Sequence, residues 1–246
     1  MFDQYKINEL VKCAADPIYF IRNYIKILDP IKGVIALNLY DFQEEMIREF
    51  HENKKVCCLS SRQNGKTICA IAFILWKTLF EIDNVIAILG TSDAQAKDIL
   101  SRILFSYENL PDYLRAGITI NNKHIVCFDN GSSISAFSAR SLNSMRGRHI
   151  SLLYIDELSY MKNGEEIITS FLPVLVGSSC IVSSSLNTTD TAFTKLYKDA
   201  LSKNNSFKPI NFPWNRHPDR DAAWADKYRE MIGAQSFKSE MACEFM

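Results

Sequence analysis

The sequence has no apolar run long enough to cross a bilayer. The run from Ile68 to Trp76 falls well short of the ~20 residues that a spanning helix needs, so no membrane partner is expected. The opening, MFDQYKINEL, carries no apolar signal core, which makes a cytosolic protein the expectation. C-x-x-C pairs are missing. The seven cysteines are odd in number and scattered, several in apolar stretches where a free thiol behaves as a small hydrophobe. The four histidines do not cluster with them, so no zinc site is expected. Low-complexity tracts and internal repeats are also missing, which excludes solenoids and arrays. Charge of one sign is not in excess, since 28 basic residues balance 28 acidic ones. A permanent nucleic-acid binder would usually be basic. The balance leaves transient DNA contact through a local patch open.

What is present is enough chain for one large α/β domain, or one domain with a small satellite, in 246 residues. Residues 1 to about 50 read as helical with an interruption at DPIKG (29–33). DPIYFIRNYIKIL (16–28) opens on Asp-Pro, a good cap and first-turn pair. YDFQEEMIREFHEN (40–53) offers Asp41 as N-cap and acids at its front, where the helix dipole favours them. The texture then changes. KVCCLS (55–60), NVIAILG (84–90), SLLYIDE (151–157) and CIVSSS (180–185) are short apolar runs suited to buried strands. ITI and HIVCF (118–120, 124–128) flank NNK as a hairpin, and SSISAFSA (132–139) adds a strand. Between them lie helical patterns: 66–80, apolar on nearly every side, 92–110 with Ser92 as cap, 164–175 with a kink at Pro173, and 191–204. FKPINFPW (207–214) reads as extended, and the tail as helical with a break near Gly233. Strands alternating with helices predict a mostly parallel sheet covered on both faces. Ligands of such sheets bind at the carboxyl ends of strands.

Two of those ends carry chemistry. SSRQNGKT (60–67) follows the first strand and opens a buried helix. There it offers backbone N–H groups and a helix N-terminus to an anion. Lys66 can reach β- and γ-phosphates, and the Thr67 hydroxyl can ligate Mg²⁺. Ser60 stands where the general phosphate-loop pattern has glycine, and an ordinary helix start using Gly65 for backbone freedom is the other reading. Asp156 and Glu157 follow four apolar residues, as in a Walker B strand. Asp156 would hold the Mg²⁺ water shell and Glu157 would polarise an attacking water. Alone, Asp156 could equally cap the next helix. Together the two elements predict an ATPase, and Arg62 inside the loop then has a role: an arginine near the γ-phosphate stabilises charge in the transition state. Otherwise it is a solvated arginine pairing with a surface carboxylate.

SRQNGKT, with DPIYFIRNY, YDFQEEM, YIDE and the closing MIGAQSFKSEMACEF, resembles the large terminase subunits of tailed bacteriophages, of the contractile-tailed type, from roughly Asp16 to Phe245. Serine at position 60 is tolerated in that family. The resemblance implies a P-loop NTPase fold of the ASCE/RecA-like type, with an ATPase core over 36–211 and a small helical lid from 1–35 plus 212–246. It implies ATP and Mg²⁺ as cofactors, held by Ser61, Arg62, Gln63, Asn64, Gly65, Lys66 and Thr67. Gln43 matches an adenine-reading glutamine, although without the family it reads as an exposed helix residue. Arg62 matches an arginine acting in cis. Arg146, in SMRGRHI, matches one that reaches a neighbouring subunit's ATP, against the reading of a solvated basic loop. Ser184, Ser185 and Asn187 match a coupling motif, in which Leu186 replaces the usual proline.

The family further implies double-stranded DNA, portal protein and small terminase subunit as partners, with a homo-oligomeric ring in the working motor and host cytoplasm as location. Family members carry a nuclease domain beyond this region. The chain stops near the handover, so an ATPase half without nuclease activity is expected. Two other readings are a superfamily-two helicase core, which needs a second RecA-like domain and a different residue after DEL, and a non-enzymatic scaffold. Intact Lys66, Thr67, Asp156 and Glu157 argue against the scaffold.

Overall fold

The computed structural model describes residues 3–139, 149–171, 175, 177–187 and 191–245. Two helices open the chain, α1 (Gln4–Ala15) and α2 (Pro17–Tyr24). Asp16 caps α2 by accepting from the Ile18 N–H at 2.8 Å, with Pro17 in the first turn.

The helix expected over 16–28 stops at Tyr24, and the chain enters a hairpin of β1 (Lys26–Asp29) and β2 (Gly33–Ala36). The interruption at 29–33 is its turn. Asp29 accepts from the Ile31 and Lys32 N–H groups, each at 2.8 Å, and Gly33 takes φ 73°. That local acceptor and that glycine favour a turn over a helix, and Pro30 could not have continued one. In α3 (Asp41–Glu52), Tyr40 rather than Asp41 holds the cap position. The reason is Gln43, whose Oε1 accepts from the Tyr40 N–H at 3.1 Å.

The remaining elements alternate except for the successive strands β5 to β8: β3 (Lys55–Ser60), α4 (Lys66–Phe80), β4 (Val85–Gly90), α5 (Asp93–Glu108), β5 (Ile118–Asn121), β6 (Ile125–Phe128), β7 (Ser133–Ser138), β8 (Leu152–Asp156), α6 (Gly164–Phe171), β9 (Ser179–Ser184), α7 (Ala192–Leu201), β10 (Lys208–Phe212) and α8 (Ala222–Ile232). The sheet order is β10-β3-β9-β8-β4-β7-β6-β5. The strands from β10 through β7 run parallel, and β6 and β5 close the edge antiparallel.

Side-chain alternation along the strands separates two cores. Val56 and Cys58 of β3 and Leu152 and Tyr154 of β8 pack with α3, α4 and α5. Cys57, Leu59, Leu153 and Ile155 pack on the opposite face with α6 and α7. Helix α4 is buried from Cys69 to Trp76, as its all-round apolarity predicts. Cys13, Ile18, Phe20 and Ile21 of α1 and α2 belong to the α3–α5 core. After β10, α8 and the turn over Phe237–Met241 gather around a small cluster of their own, with Ala225, Phe237 and Met241 buried. Among the described residues, no helix is long and apolar enough to cross a membrane.

Candidate functional site

The loop between β3 and α4 sits at the carboxyl end of the sheet. Ser60 is the last residue of β3 and lacks a positive φ, so a side chain costs nothing there. Gly65 is different. Its φ is 80°, and an added Cβ would lie 2.5 Å from Gln43 Nε2. The first N–H groups of α4 have no intrahelical partners, which leaves them for an anion. β9 lies between β3 and β8, so the loop faces the β8 acids across one intervening strand.

Across that gap the side chains meet. Lys66 Nζ pairs with Glu157 Oε1 at 2.7 Å. Thr67 Oγ1 donates to the Asp156 carboxylate at 3.2 and 3.4 Å. Lys66 is 5% and Asp156 2% exposed, so both charges are held away from water. Burial works to lower the Lys66 pKa, but Glu157 and Asp156 outweigh it and hold the ammonium above its ordinary value. Burial pushes the Asp156 carboxyl up, and the Glu157 charge adds to that. Tyr154 OH, Ser183 Oγ and Gln95 Nε2 each donate to Asp156, at 2.7, 3.0 and 3.0 Å.

Glu157 itself is strained, with φ 59° and ψ 48°. Its N–H donates to Ser183 O at 2.8 Å, and its Oε2 accepts from Ser184 Oγ and the Ser185 N–H, each at 3.3 Å. A non-glycine residue held this way points to a function for its side chain.

Arg62 is turned elsewhere. Its side chain is half exposed, its Nε lies 3.2 Å from Glu240 Oε2, and its guanidinium stands 5.5 Å over the Tyr160 ring. A cavity of about 940 Å³ opens over the loop. Arg62, Gln63, Gly65, Lys66, Thr67 and Glu157 form part of its wall, and Gln43 and the hairpin's Ile27 and Ile35 form another. Ser61 and Asn64 are buried outside that wall. Gln43 is buried rather than exposed, and its Nε2 donates to Asn64 O at 3.0 Å. Ser184 and Ser185 reach Glu157, whereas Asn187 lines a separate cleft with Lys162 and Thr191. Arg146 and Pro173 lie outside the described residues.

Sequence reasoning missed the hairpin wall, Gln95, Tyr154, Glu240 and Arg220. The Asp-Pro-x-x-Gly turn flanked by Ile-Leu and Val-Ile was a readable hairpin signal. For Gln95, Glu240 and Arg220 no local signal exists, because their partners lie far away in the chain, whereas Tyr154 stands two residues before Asp156 on the same strand, a spacing that places both on one face.

A parallel sheet with a Gly-Lys-Thr loop after one strand and an Asp-Glu pair after another defines a P-loop nucleotide-binding domain. The family model described as "Terminase large subunit, T4likevirus-type, N-terminal" matches residues 57–246. The chain belongs to that family, over the N-terminal part of the large terminase subunit.

The fold is similar to the large terminase ATPase domain of Thermus phage P74-26, with TM-score 0.69 and 16% identity over 85% of this chain and 94% of that one. It is also similar to the HK97 bacteriophage large terminase, with TM-score 0.70 and 17% identity over 93% of this chain. The chain spans about half of that protein, 54% of its length. A large terminase from a thermophilic bacteriophage, in complex with ATP-gamma-S, matches with TM-score 0.63 and 10% identity over 83% of this chain and 52% of that one. The helicase reading is not favoured.

Proposed function

We propose that this chain hydrolyses ATP with Mg²⁺ and couples that reaction to translocation of double-stranded DNA into the procapsid, in the host cytoplasm. The observation that carries the reading is the meeting of Lys66 with Glu157 and of Thr67 with Asp156 at the carboxyl ends of β3 and β8. The thermophilic phage terminase complexes with ADP and ATP-gamma-S support an adenine nucleotide as ligand.

Thr67 Oγ1 and the Asp156 carboxylate are hard oxygen donors already in contact, a set that suits Mg²⁺ shared with substrate phosphates rather than a protein cage. Bound there, Mg²⁺ would neutralise charge on the phosphates. Lys66 must leave Glu157 to grip them. That exchange frees the Glu157 carboxylate to orient a water, while Ser184 and the Ser185 N–H keep it aimed. Arg62 would leave Glu240 and swing toward the γ-phosphate. Gln43 would read adenine from the cavity wall, while its bond to Asn64 O links base recognition to the loop. Ser184 and Ser185, with Asn187 further along, would pass loss of the γ-phosphate outward, and Arg146 would act on a neighbouring subunit.

The division into a core over 36–211 and a lid from 1–35 plus 212–246 belongs to this reading, with lid movement as the mechanical output. So do the portal protein and small terminase subunit as partners and a ring of copies in the working motor. Isothermal titration with Mg·ATP tests the reading: the wild-type chain binds and Lys66→Ala does not. A wild-type chain that fails to bind would overturn it.

A further inference from the structure

Arg220 lies in the bend between β10 and α8, outside the cavity wall. Its guanidinium donates to four acceptors of the loop: Asn64 Oδ1 at 2.8 Å, Gln63 O at 3.0 Å, and Ser61 Oγ and Arg62 O at 3.3 Å. All of these partners are neutral. Burial presses its pKa down, so this cation is held where a charge is disfavoured. Its flat face lies 4.7 Å over the Trp224 ring of α8, and Trp224 stacks on Trp214.

The bonds have a directional consequence. In a trans peptide the carbonyl and the following N–H point opposite ways. Fixing the oxygens of Arg62 and Gln63 on the Arg220 side therefore aims the N–H groups of Gln63 and Asn64 away from it. Gln63 has φ 60°, a conformation that a glutamine keeps only when its neighbours impose it. Two further ties come from the same end of the chain. Asn64 Nδ2 donates to Phe212 O at 2.9 Å, and the Arg62 N–H donates to Glu240 O at 3.1 Å.

We propose that Arg220 is a positioning residue for nucleotide binding: it holds the 61–64 loop in its anion-binding shape and transmits that shape to α8 through Trp224. The inference rests on the nucleotide-site reading above. It makes the segment after β10 a sensor of the loop rather than a bystander.

The test compares the wild-type chain with Arg220→Gln, Arg220→Lys and Arg229→Gln. Arg229 is a control in the same segment, paired with Asp226 at 2.7 Å and stacked over Phe237. Mg·ATP affinity is titrated well below each variant's Tm, and tryptophan emission is followed on binding. Both Arg220 variants are expected to bind about tenfold more weakly, the scale of one charge-assisted hydrogen bond. Lysine does not rescue, because an ammonium cannot span the same fork of acceptors. Arg229→Gln keeps wild-type affinity even where its Tm falls. Emission changes on binding in the wild type and not in the Arg220 variants. If Arg220→Gln does not fold, Arg220→Lys carries the test. Wild-type affinity with either folded Arg220 variant, or no emission change in a wild type that binds, overturns the role of Arg220 alone. A wild type that binds no Mg·ATP overturns the nucleotide reading instead.

Discussion

The loop is gripped from two sides that differ in kind. On the sheet side, Lys66 at the start of α4 and Asp156 at the end of β8 are buried beside two extensive apolar cores. On the side after β10, Arg220 and Glu240 reach the loop from a segment whose own cluster buries only Ala225, Phe237 and Met241. Few buried contacts mean a low cost of local opening. Labour would thus be divided, with the proposed chemistry held where packing is dense and movement available where it is sparse.

The largest expected effect lies on the dense side. Lys66→Ala should lower hydrolysis by ~10³-fold or more, since the loop loses its phosphate cation. A single-turnover assay reads this, and a surviving rate would show that the dense side does not hold the phosphates through Lys66. Arg62→Ala comes next. Loss of an arginine finger costs ~10³–10⁵ in rate, while a half-exposed ion pair such as Arg62–Glu240 is worth only ~0–1 kcal/mol of stability. Rate should therefore collapse with little change in Tm.

Phe237→Ala should cost about 3–5 kcal/mol within its own cluster. Hydrogen exchange should show α8 losing protection while β3 keeps it; equal loss in both would erase the distinction between the two sides. The smallest effect concerns Glu9, far from the loop. Hydrogen bonds from Tyr24, Lys12 and Tyr19 lower its pKa from 4.5 to about 2. A depressed carboxyl pKa stabilises the fold above the unfolded value and loses that contribution as pH falls toward the folded one. The Tm gap between the wild type and Glu9→Gln should therefore be full near neutrality and shrink between about pH 4.5 and 2.

Much of the dense side was legible in the sequence, because its signals are contiguous. KVCCLS, the Gly-Lys-Thr loop and the apolar helix adjoin, and Asp156 and Glu157 end an apolar strand. On the sparse side the elements were legible, including β10 and the helical break at Gly233, but the side-chain contacts were not. Arg220 meets Asn64 across 156 residues, and even on the dense side Gln95 meets Asp156 across 61. No periodicity or spacing encodes such pairs; only the folded sheet order brings them together. The β1–β2 hairpin was hidden for another reason. Helix α2 and the strand after it share one apolar-rich stretch, interrupted only by Arg22, Asn23 and Lys26, and the change of backbone comes at Ile25, with φ −76° and ψ 127°.

The central claim is that Lys66 and Glu157 neutralise each other until a triphosphate takes the lysine. Glu157→Gln, studied by Mg·ATP titration and single-turnover hydrolysis, tests it most directly. The account predicts binding at least as tight as in the wild type, because the lysine no longer has a carboxylate to leave, together with abolished turnover. Near-native turnover in that variant would contradict it.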